Sequence, residues 1–405
     1  MTTLIIGLSE LLNQERLGLL SLGLLLLQLP AALILLSRLF KGPLRRPPLE
    51  PKTPIPELLG AVSVVIPTLN EALRISPCLT GLSRQSYELR EVIVVDSYSR
   101  DRTPELVQAA AKQDPRFRLL NDPELPHDWV GRPWALHNGF LHSSAQSKWI
   151  LGLDADTQPQ PGLIASIIEA AETDGYDLVS LSPQFILKYP GEWWLQPALL
   201  MTLLYRFDPA GAKAVSPERV MANGQCFLCR REVLVQLGGY ETAKGSFCDD
   251  VTLARNAAAA GFRVGFLDGK KVLKVRMYEG AAETWREWGR SLDLKDAASS
   301  SQLWGDLWLL FSVQGLPVLL APILLIFVAL GYNSPPAMLA TGLNLFLLMI
   351  RFGLLLAIAP SYDRPNSSTA SWLFWLSPFA DPLAVWRIFL SAGKQPTQWR
   401  GRVYQ

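Results

Sequence analysis

Three sets of aspartates carry the chemistry in this sequence. The first stands where an apolar run, Trp149-Ile150-Leu151-Gly152-Leu153, gives way to Asp154-Ala155-Asp156-Thr157, with Pro159 and Pro161 following. On a strand, alternate side chains share a face, so these two carboxylates are expected to leave the sheet end together. Ligands of open α/β sheets gather outside the carboxyl ends of the strands. Two hard oxygen donors there suit Mg2+ or Mn2+, with diphosphate oxygens completing the shell. The second set is Asp96, closing Glu91-Val92-Ile93-Val94-Val95, where an acid can hydrogen-bond a ribose or base. The third is the adjacent pair Asp249-Asp250, just ahead of a helical pattern. One set would hold a nucleotide and one a divalent metal on its diphosphate. The set left over, beside an electrophilic sugar carbon, would be a general base toward an attacking hydroxyl. Taken singly, each has a blander reading: a solvated acidic turn for Asp154 and Asp156, a turn cap for Asp96. Taken together they imply sugar transfer from a nucleotide-sugar.

The elements that must position them alternate between strand and helix. Val62-Ser63-Val64-Val65-Ile66 reads as a short buried strand stopped by Pro67, and Thr68-Leu69-Asn70-Glu71 as the loop at its end. Asn70 and Glu71 also suit a helix start, where negative charge is favourable. A helix to about Gln85 comes next, then the strand ending at Asp96. Thr103 is the expected N-cap of a helix over 104–112, with Pro104 at its first position. Phe117–Leu120 and Trp149–Leu153 are the third and fourth strands. This alternation predicts an α/β fold with a parallel sheet and right-handed crossovers. There is no Gly-x-Gly-x-x-Gly after the first strand and no Walker loop, which weakens dinucleotide and ATP readings. In Gly131-Arg132-Pro133-Trp134, the planar fork of Arg132 suits a diphosphate, and His137 reads as a packed helix residue. The run Asn223-Gly224-Gln225-Cys226-Phe227-Leu228-Cys229-Arg230 reads as a strand, and a helix closed by Gly238-Gly239 follows it.

The flanks belong to a membrane protein. Of 405 residues, 49% are hydrophobic, and the mean hydropathy of +0.18 is high for a soluble enzyme. The net charge of +2 argues against a nucleic-acid partner. Residues 17–40 read as a transmembrane helix behind an N-terminal segment, 1–16. A basic, Pro-rich linker occupies 41–60, and its Lys41, Arg45, Arg46 and Lys52 place the 61–300 domain in the cytoplasm. Trp193-Trp194 and the apolar stretch to Phe207 are too short to span and read as interfacial or buried. Tyr278–Lys295, with Trp285, Arg286, Trp288 and Arg290, reads as an amphipathic helix at the lipid surface. Two transmembrane helices are expected within 304–360, with Arg351 inside the second facing protein or a polar cavity. Residues 361–405 read as an interfacial or re-entrant segment and a basic, aromatic cytoplasmic tail. The four cysteines show no disulfide spacing and read as buried thiols.

The ordered set Val62-Ser63-Val64-Val65-Ile66-Pro67-Thr68-Leu69-Asn70-Glu71, Val94-Val95-Asp96-Ser97, Asp154-Ala155-Asp156 and Asp249-Asp250-x-x-Leu253-Ala254 resembles family 2 glycosyltransferases over about residues 61–300. The resemblance implies a GT-A fold with a mixed, mainly parallel sheet, a divalent metal and inversion at the anomeric carbon. By matching position it makes Thr68, Glu71, Asp96 and Asp154 nucleotide contacts, Asp156 a metal ligand and Asp250 the base. It also places Arg132 where members often carry a basic residue after Gly. Asp249 stands where Glu is common, leaving the base between two neighbours, and the Gln-x-x-Arg-Trp motif of processive members is missing. Arg276-Met277-Tyr278-Glu279-Gly280, Trp288-Gly289-Arg290-Ser291-Leu292-Asp293 and Trp399-Arg400-Gly401-Arg402 resemble bacterial membrane transferases that glycosylate carotenoids, hopanoids or ceramide-type lipids, nearest the carotenoid 2′-O-glycosylating type. The expectations are a UDP- or GDP-linked donor, a carotenoid or other lipid acceptor, and a bacterial plasma or thylakoid membrane. A polyprenyl phosphate or glycerolipid acceptor, and an inactive membrane scaffold, are the alternatives.

Overall fold

The structure is a computed structural model. It describes residues 14–393 apart from 215, 290, 291, 293 and 365–369, together with the backbone of 398, 399, 402 and 403. The N-terminal segment, Arg290 and the basic aromatic tail therefore lie largely outside the described residues.

The chain opens on α1 (Gln14–Leu39), 26 residues without a break despite Pro30, and apolar enough to cross a membrane. The next domain runs β1 (Val62–Thr68), α2 (Ile75–Ser83), β2 (Leu89–Asp96), α3 (Thr103–Gln113), β3 (Phe117–Asn121), α4 (Gly131–Leu141), β4 (Trp149–Leu153), β5 (Thr157–Pro159), α5 (Leu163–Asp174), β6 (Leu178–Ser182) and β7 (Gln184–Ile186). It continues through α6 (Pro190–Arg206), β8 (Cys226–Arg230), α7 (Arg231–Gln236), α8 (Asp249–Ala259), β9 (Val264–Asp268) and β10 (Leu273–Val275). Seven strands form one sheet in the order β3-β2-β1-β4-β8-β6-β9, and β8 alone runs against the others.

The sheet's two faces arise from period-two alternation. Val62, Val64, Ile66, Val92, Val94, Trp149 and Leu151 pack on one side, with Ile75 and Leu82 of α2 and Ile164 and Ile167 of α5. Val65, Ile93, Val95 and Ile150 pack on the other, with Ala135 and Leu136 of α4 and Leu253 of α8. Each fully buried Val, Leu or Ile contributes about 1.5–3 kcal/mol. Gly139 lets α4 sit directly on β1, because a Cβ there would overlap Val65. The N-cap expectation at Thr103 needs correcting. Thr103 is already helical, and Asp101 Oδ1 accepts its N–H at 3.0 Å, the shorter acid reaching back to do the capping.

The second half meets the membrane elements. The Trp193-Trp194 stretch is the buried helix α6, with Trp193 fully enclosed. Of Tyr278–Lys295, the described residues are continuously helical from Gly280 to Gly289 only. The helical stretch is a single turn, α9 (Gly280–Glu283), passing into a wide turn at Thr284–Trp288. Gly280 at φ 71° starts it, and Gly289 is pressed against Arg387. The helix expected from Trp304 is broken. α10 (Ser300–Leu310) and α11 (Pro317–Ala329) join through a widened turn at 311–315 and bend by 47°. Pro317 and Pro322 each remove a helical N–H there. α12 (Pro335–Ile358) returns, and a 310 segment (Ser371–Ala380) leads into α13 (Asp381–Ala392). Between α12 and that segment, the two-residue β11 (Tyr362–Asp363) pairs with β7 in a small sheet ordered β11-β7-β10-β5, tying the apolar helices to the catalytic half.

Two sets of polar side chains inside this apolar assembly are matched to each other. Arg351 Nε donates to Asp381 Oδ2 at 2.6 Å and its Nη2 to Oδ1 at 3.0 Å, both side chains buried. Gln314 Nε2 donates to the same carboxylate at 3.2 Å and to Ala198 O at 2.9 Å. Gln28 and Asn344 exchange amide hydrogen bonds between α1 and α12. Such pairing is what makes polar groups tolerable away from water.

Candidate active site

Asp154 and Asp156 sit on the turn between β4 and β5, off the end of the sheet. Asp249 and Asp250 open α8, whose N-terminus favours negative charge. The two pairs meet across one cavity of 1020 Å3 that both line, together with Glu71 and Arg132. Arg132, in the first turn of α4, is the cation among them. Its Nε donates to Asp154 Oδ1 at 3.0 Å, Nη1 to Asp249 Oδ2, and Nη2 to Gly224 O at 2.7 Å. The fork expected to meet a diphosphate is thus occupied by two acids and a carbonyl. Burial works against the Arg132 charge, yet Asp154, Asp249 and Asp250 hold it firmly protonated.

The loop ahead of β8 closes the arrangement. Ser180 Oγ and Asn223 share a pair of backbone hydrogen bonds, and Asn223 Oδ1 accepts Gln225 N–H at 3.1 Å. Gly224 N–H donates to Asp250 Oδ2 at 2.5 Å, and Asp154 N–H to Gln225 O at 3.3 Å. Gly224 has to be glycine, because a Cβ would come within 2.8 Å of Arg132 Cζ. Sequence reasoning did not single out Gly224; the Asn-Gly pair was its one signal, marking a turn.

The two neighbouring acids differ. Asp249 is buried and clamped by Arg132; burial raises its pKa against that pull. Asp250 faces the cavity. Burial, and then the adjacent Asp249, push its pKa up to about 6.

The other expected nucleotide contacts are placed differently. Thr68 and Asp96 end neighbouring strands, in register, and both are buried. Asp96 accepts from Thr68 Oγ1 at 3.1 Å and from Ser99 N–H and Oγ at 2.9 and 2.6 Å. Asn70, at φ 56°, zips its loop to the next one through Ser99 Oγ and Arg100 N–H, both at 2.8 Å. None of these three lines the cavity, so four of the five acids share it and Asp96 stands behind the loop at its edge. Glu71 does line it, its N–H donating to Thr103 Oγ1 at 2.9 Å.

Away from the acids the cavity changes character. Phe185, Leu203, Trp285, Trp288 and Leu390 line it as well, whereas Met277 stays beside the acids, its neighbour Arg276 donating its N–H to Asp156 O at 3.3 Å. Trp288 is buried, Trp285 half-buried and Arg286 exposed beside Glu287. Arg387, from α13, crosses this end, with Nε donating to Trp285 O at 2.7 Å. Trp285, Arg286 and Trp288, expected on the acceptor or membrane side, line the cavity, and Arg290 lies outside the described residues. The four cysteines are buried and free, as expected for structural thiols.

Residues 63–238 match the family model described as Glycosyl transferase family 2. A 4,4′-diaponeurosporenoate glycosyltransferase of Staphylococcus haemolyticus is 24% identical over 246 residues, 61% of this chain and 64% of that protein. An undecaprenyl-phosphate 4-deoxy-4-formamido-L-arabinose transferase of Pseudomonas aeruginosa is 34% identical over 129 residues, 31% of this chain and 36% of that protein. The matched region thus spans less than two thirds of either relative's length. Among solved structures, the Pyrobaculum calidifontis mannosyltransferase PcManGT, in complex with GDP-Man and Mn2+, is 21% identical with a TM-score of 0.49, over 91% of this chain and 99% of that one.

Proposed function

From the match of residues 63–238 to Glycosyl transferase family 2, we propose that the chain is a glycosyltransferase of that family with a GT-A fold, and that it transfers a sugar from a nucleotide-sugar to a hydroxyl of a membrane lipid, with inversion at the anomeric carbon. The observation that carries the reading is the single cavity whose one end is acidic and whose other is aromatic and apolar, walled by the turn at Thr284–Trp288 and by α13. An apolar acceptor would lie along the second end with its hydroxyl reaching the first.

In this reading Asp250 is the base. It takes the proton of the acceptor hydroxyl as that oxygen bonds to the anomeric carbon. The bond from that carbon to the diphosphate oxygen breaks, and the nucleoside diphosphate leaves with the electron pair. Gly224 N–H fixes one Asp250 oxygen, and Asp249, held by Arg132, supplies the neighbouring charge that keeps Asp250 a competent base near neutral pH. Among the described residues no group of three or more His, Cys, Asp or Glu forms a metal cage. The donors present, Asp154 and Asp156, are hard oxygens at the cavity edge, which fits Mg2+ or Mn2+ completing its shell from phosphate and water. When bound, such an ion would neutralise charge on the departing diphosphate. Glu71, Asn70, Thr68 and Asp96 would shape the nucleotide's edge of the site, the last three after the zipped loops part.

A carotenoid is the preferred acceptor. The residues of 276–293 carry that resemblance, and the Staphylococcus relative bears the name of a diaponeurosporenoate transferase. A hopanoid or glycerolipid alcohol would use the same cavity. Mass spectrometry of pigments and lipids from cells with and without the gene tests this. Loss of one glycosylated lipid, restored by the wild-type chain but not by Asp250→Asn, is expected. Unchanged glycolipids and glycosylated pigments would overturn it.

A further inference from the structure

A second cleft, of 650 Å3, lies at the foot of α1, away from the acids. Lys41, Arg45, Arg46, Lys213 and Arg263 line it, with Asp174 as the one lining carboxylate among the described residues. Its placement is set by the chain. α1 ends at Leu39, and the linker then docks on the catalytic domain through Arg46 N–H to Gly211 O at 2.9 Å. Gly211, at φ 91°, has no room for a Cβ against the Arg46 carbonyl.

The cations divide into two kinds. Lys41, Arg45 and Arg46 are ion-paired with Asp208, Asp268 and Asp174 respectively, the last within the cleft. Lys213 and Arg263 are exposed and have no carboxylate ion pair among the described residues; the Arg263 guanidinium lies 5.9 Å from the centre of the Tyr176 ring. Beside them, Phe40 is 76% and Leu44 88% exposed. Apolar side chains standing out between cations, one turn past an apolar helix, belong where acyl chains meet headgroups.

We infer that this cleft binds the phosphate of an anionic lipid headgroup, with Phe40 and Leu44 in the acyl boundary and Lys213 and Arg263 on the phosphate. The site rests on α1 being a membrane helix and does not depend on the transfer reaction. It would seat the catalytic domain at a fixed height on the bilayer, so that the apolar end of the catalytic cavity meets the lipid.

The test is native mass spectrometry of the detergent-released full chain titrated with phosphatidylglycerol, phosphatidylcholine or inorganic phosphate. Each cation near an anionic surface contributes about fivefold in affinity, so Lys213→Gln/Arg263→Gln should weaken phosphatidylglycerol binding about 30-fold. The same charge change outside the cleft, Arg84→Gln/Lys112→Gln, should leave it within about twofold. Phosphatidylcholine should bind far more weakly, and inorganic phosphate at the lipid's concentration should not compete. Equal binding of the two lipids, no loss in the cleft variant, equal loss in the outside variant, or displacement by inorganic phosphate would each overturn the site. Because the readout is binding, a chain that transfers no sugar still reports on it.

Discussion

Removing the Asp249 charge should move the acid limb of the pH profile downward. Asp250 stands near pKa 6, about two units above an ordinary aspartate, with burial the larger cause and Asp249 the second. Two units correspond to about 3 kcal/mol, the net of burial and Asp249 raising the pKa and of Arg132 and backbone N–H groups lowering it. Asp249→Asn keeps the shape, removes the like charge, and frees Arg132 to act on its neighbour. The Asp250 pKa should therefore fall by up to about one unit. A base must be deprotonated to work, so kcat/KM of the wild type should drop about tenfold between pH 7 and pH 5. In Asp249→Asn the midpoint should slide toward pH 5, whatever happens to the maximal rate. The assay is initial-rate transfer to a detergent-dispersed lipid alcohol from pH 4.5 to 8, with circular dichroism confirming the fold at each pH. A wild-type limb near pH 4, or a limb that moves upward in Asp249→Asn, would refute the assignment of Asp250 as base.

Asp250→Asn should abolish transfer yet melt no lower than wild type at pH 7. A carboxylate whose pKa rises from its ordinary value to about 6 on folding loses stability progressively between those two values, and the amide still accepts the Gly224 N–H; the gain in melting temperature should be full at pH 7, smaller at pH 5 and nearly gone at about pH 3. Gly224→Ala should lower kcat/KM at least tenfold by displacing Arg132, with little change in melting temperature. Asp156→Asn should weaken Mn2+-dependent nucleotide binding in calorimetry, and chelation should stop turnover until Mg2+ or Mn2+ is returned. Arg351→Met should destabilise the chain by about 3–5 kcal/mol, and adding Asp381→Leu should recover most of it, as read by thermal unfolding in detergent.

The features legible in the residues were those that local rules govern. Strand alternation placed Val64 and Val65 on opposite faces, and the end of the apolar run at Leu153 placed Asp154 past a strand; Pro67 did not stop β1, which pairs through it to Thr68, and Pro159 closes a short strand of its own. The features that stayed hidden depend on distant partners. Arg132 and Gly224 are 92 positions apart, and nothing local says that the guanidinium prefers two aspartates and a carbonyl to a diphosphate. Arg351 and Asp381 each looked like an anomaly in an apolar stretch; only the packing of α12 against α13 makes them one pair. The run around Trp285 has helical periodicity and is helical from Gly280 to Gly289, but nothing local signals that its Thr284–Trp288 turn widens.

The reversed direction of β8 has a consequence for how the two aspartate pairs stay in step. Six strands carry their trailing loops to the ligand side; β8 alone carries its leading loop there, and two residues of that loop, Gly224 and Gln225, hold one acid from each pair, Asp250 and Asp154. The spacing between donor chemistry and acceptor chemistry is therefore set by a clasp, not by either helix. A single residue inserted after Gly224 should uncouple the halves while leaving each intact, so that nucleotide retention and lipid uptake persist in a protein that no longer joins them.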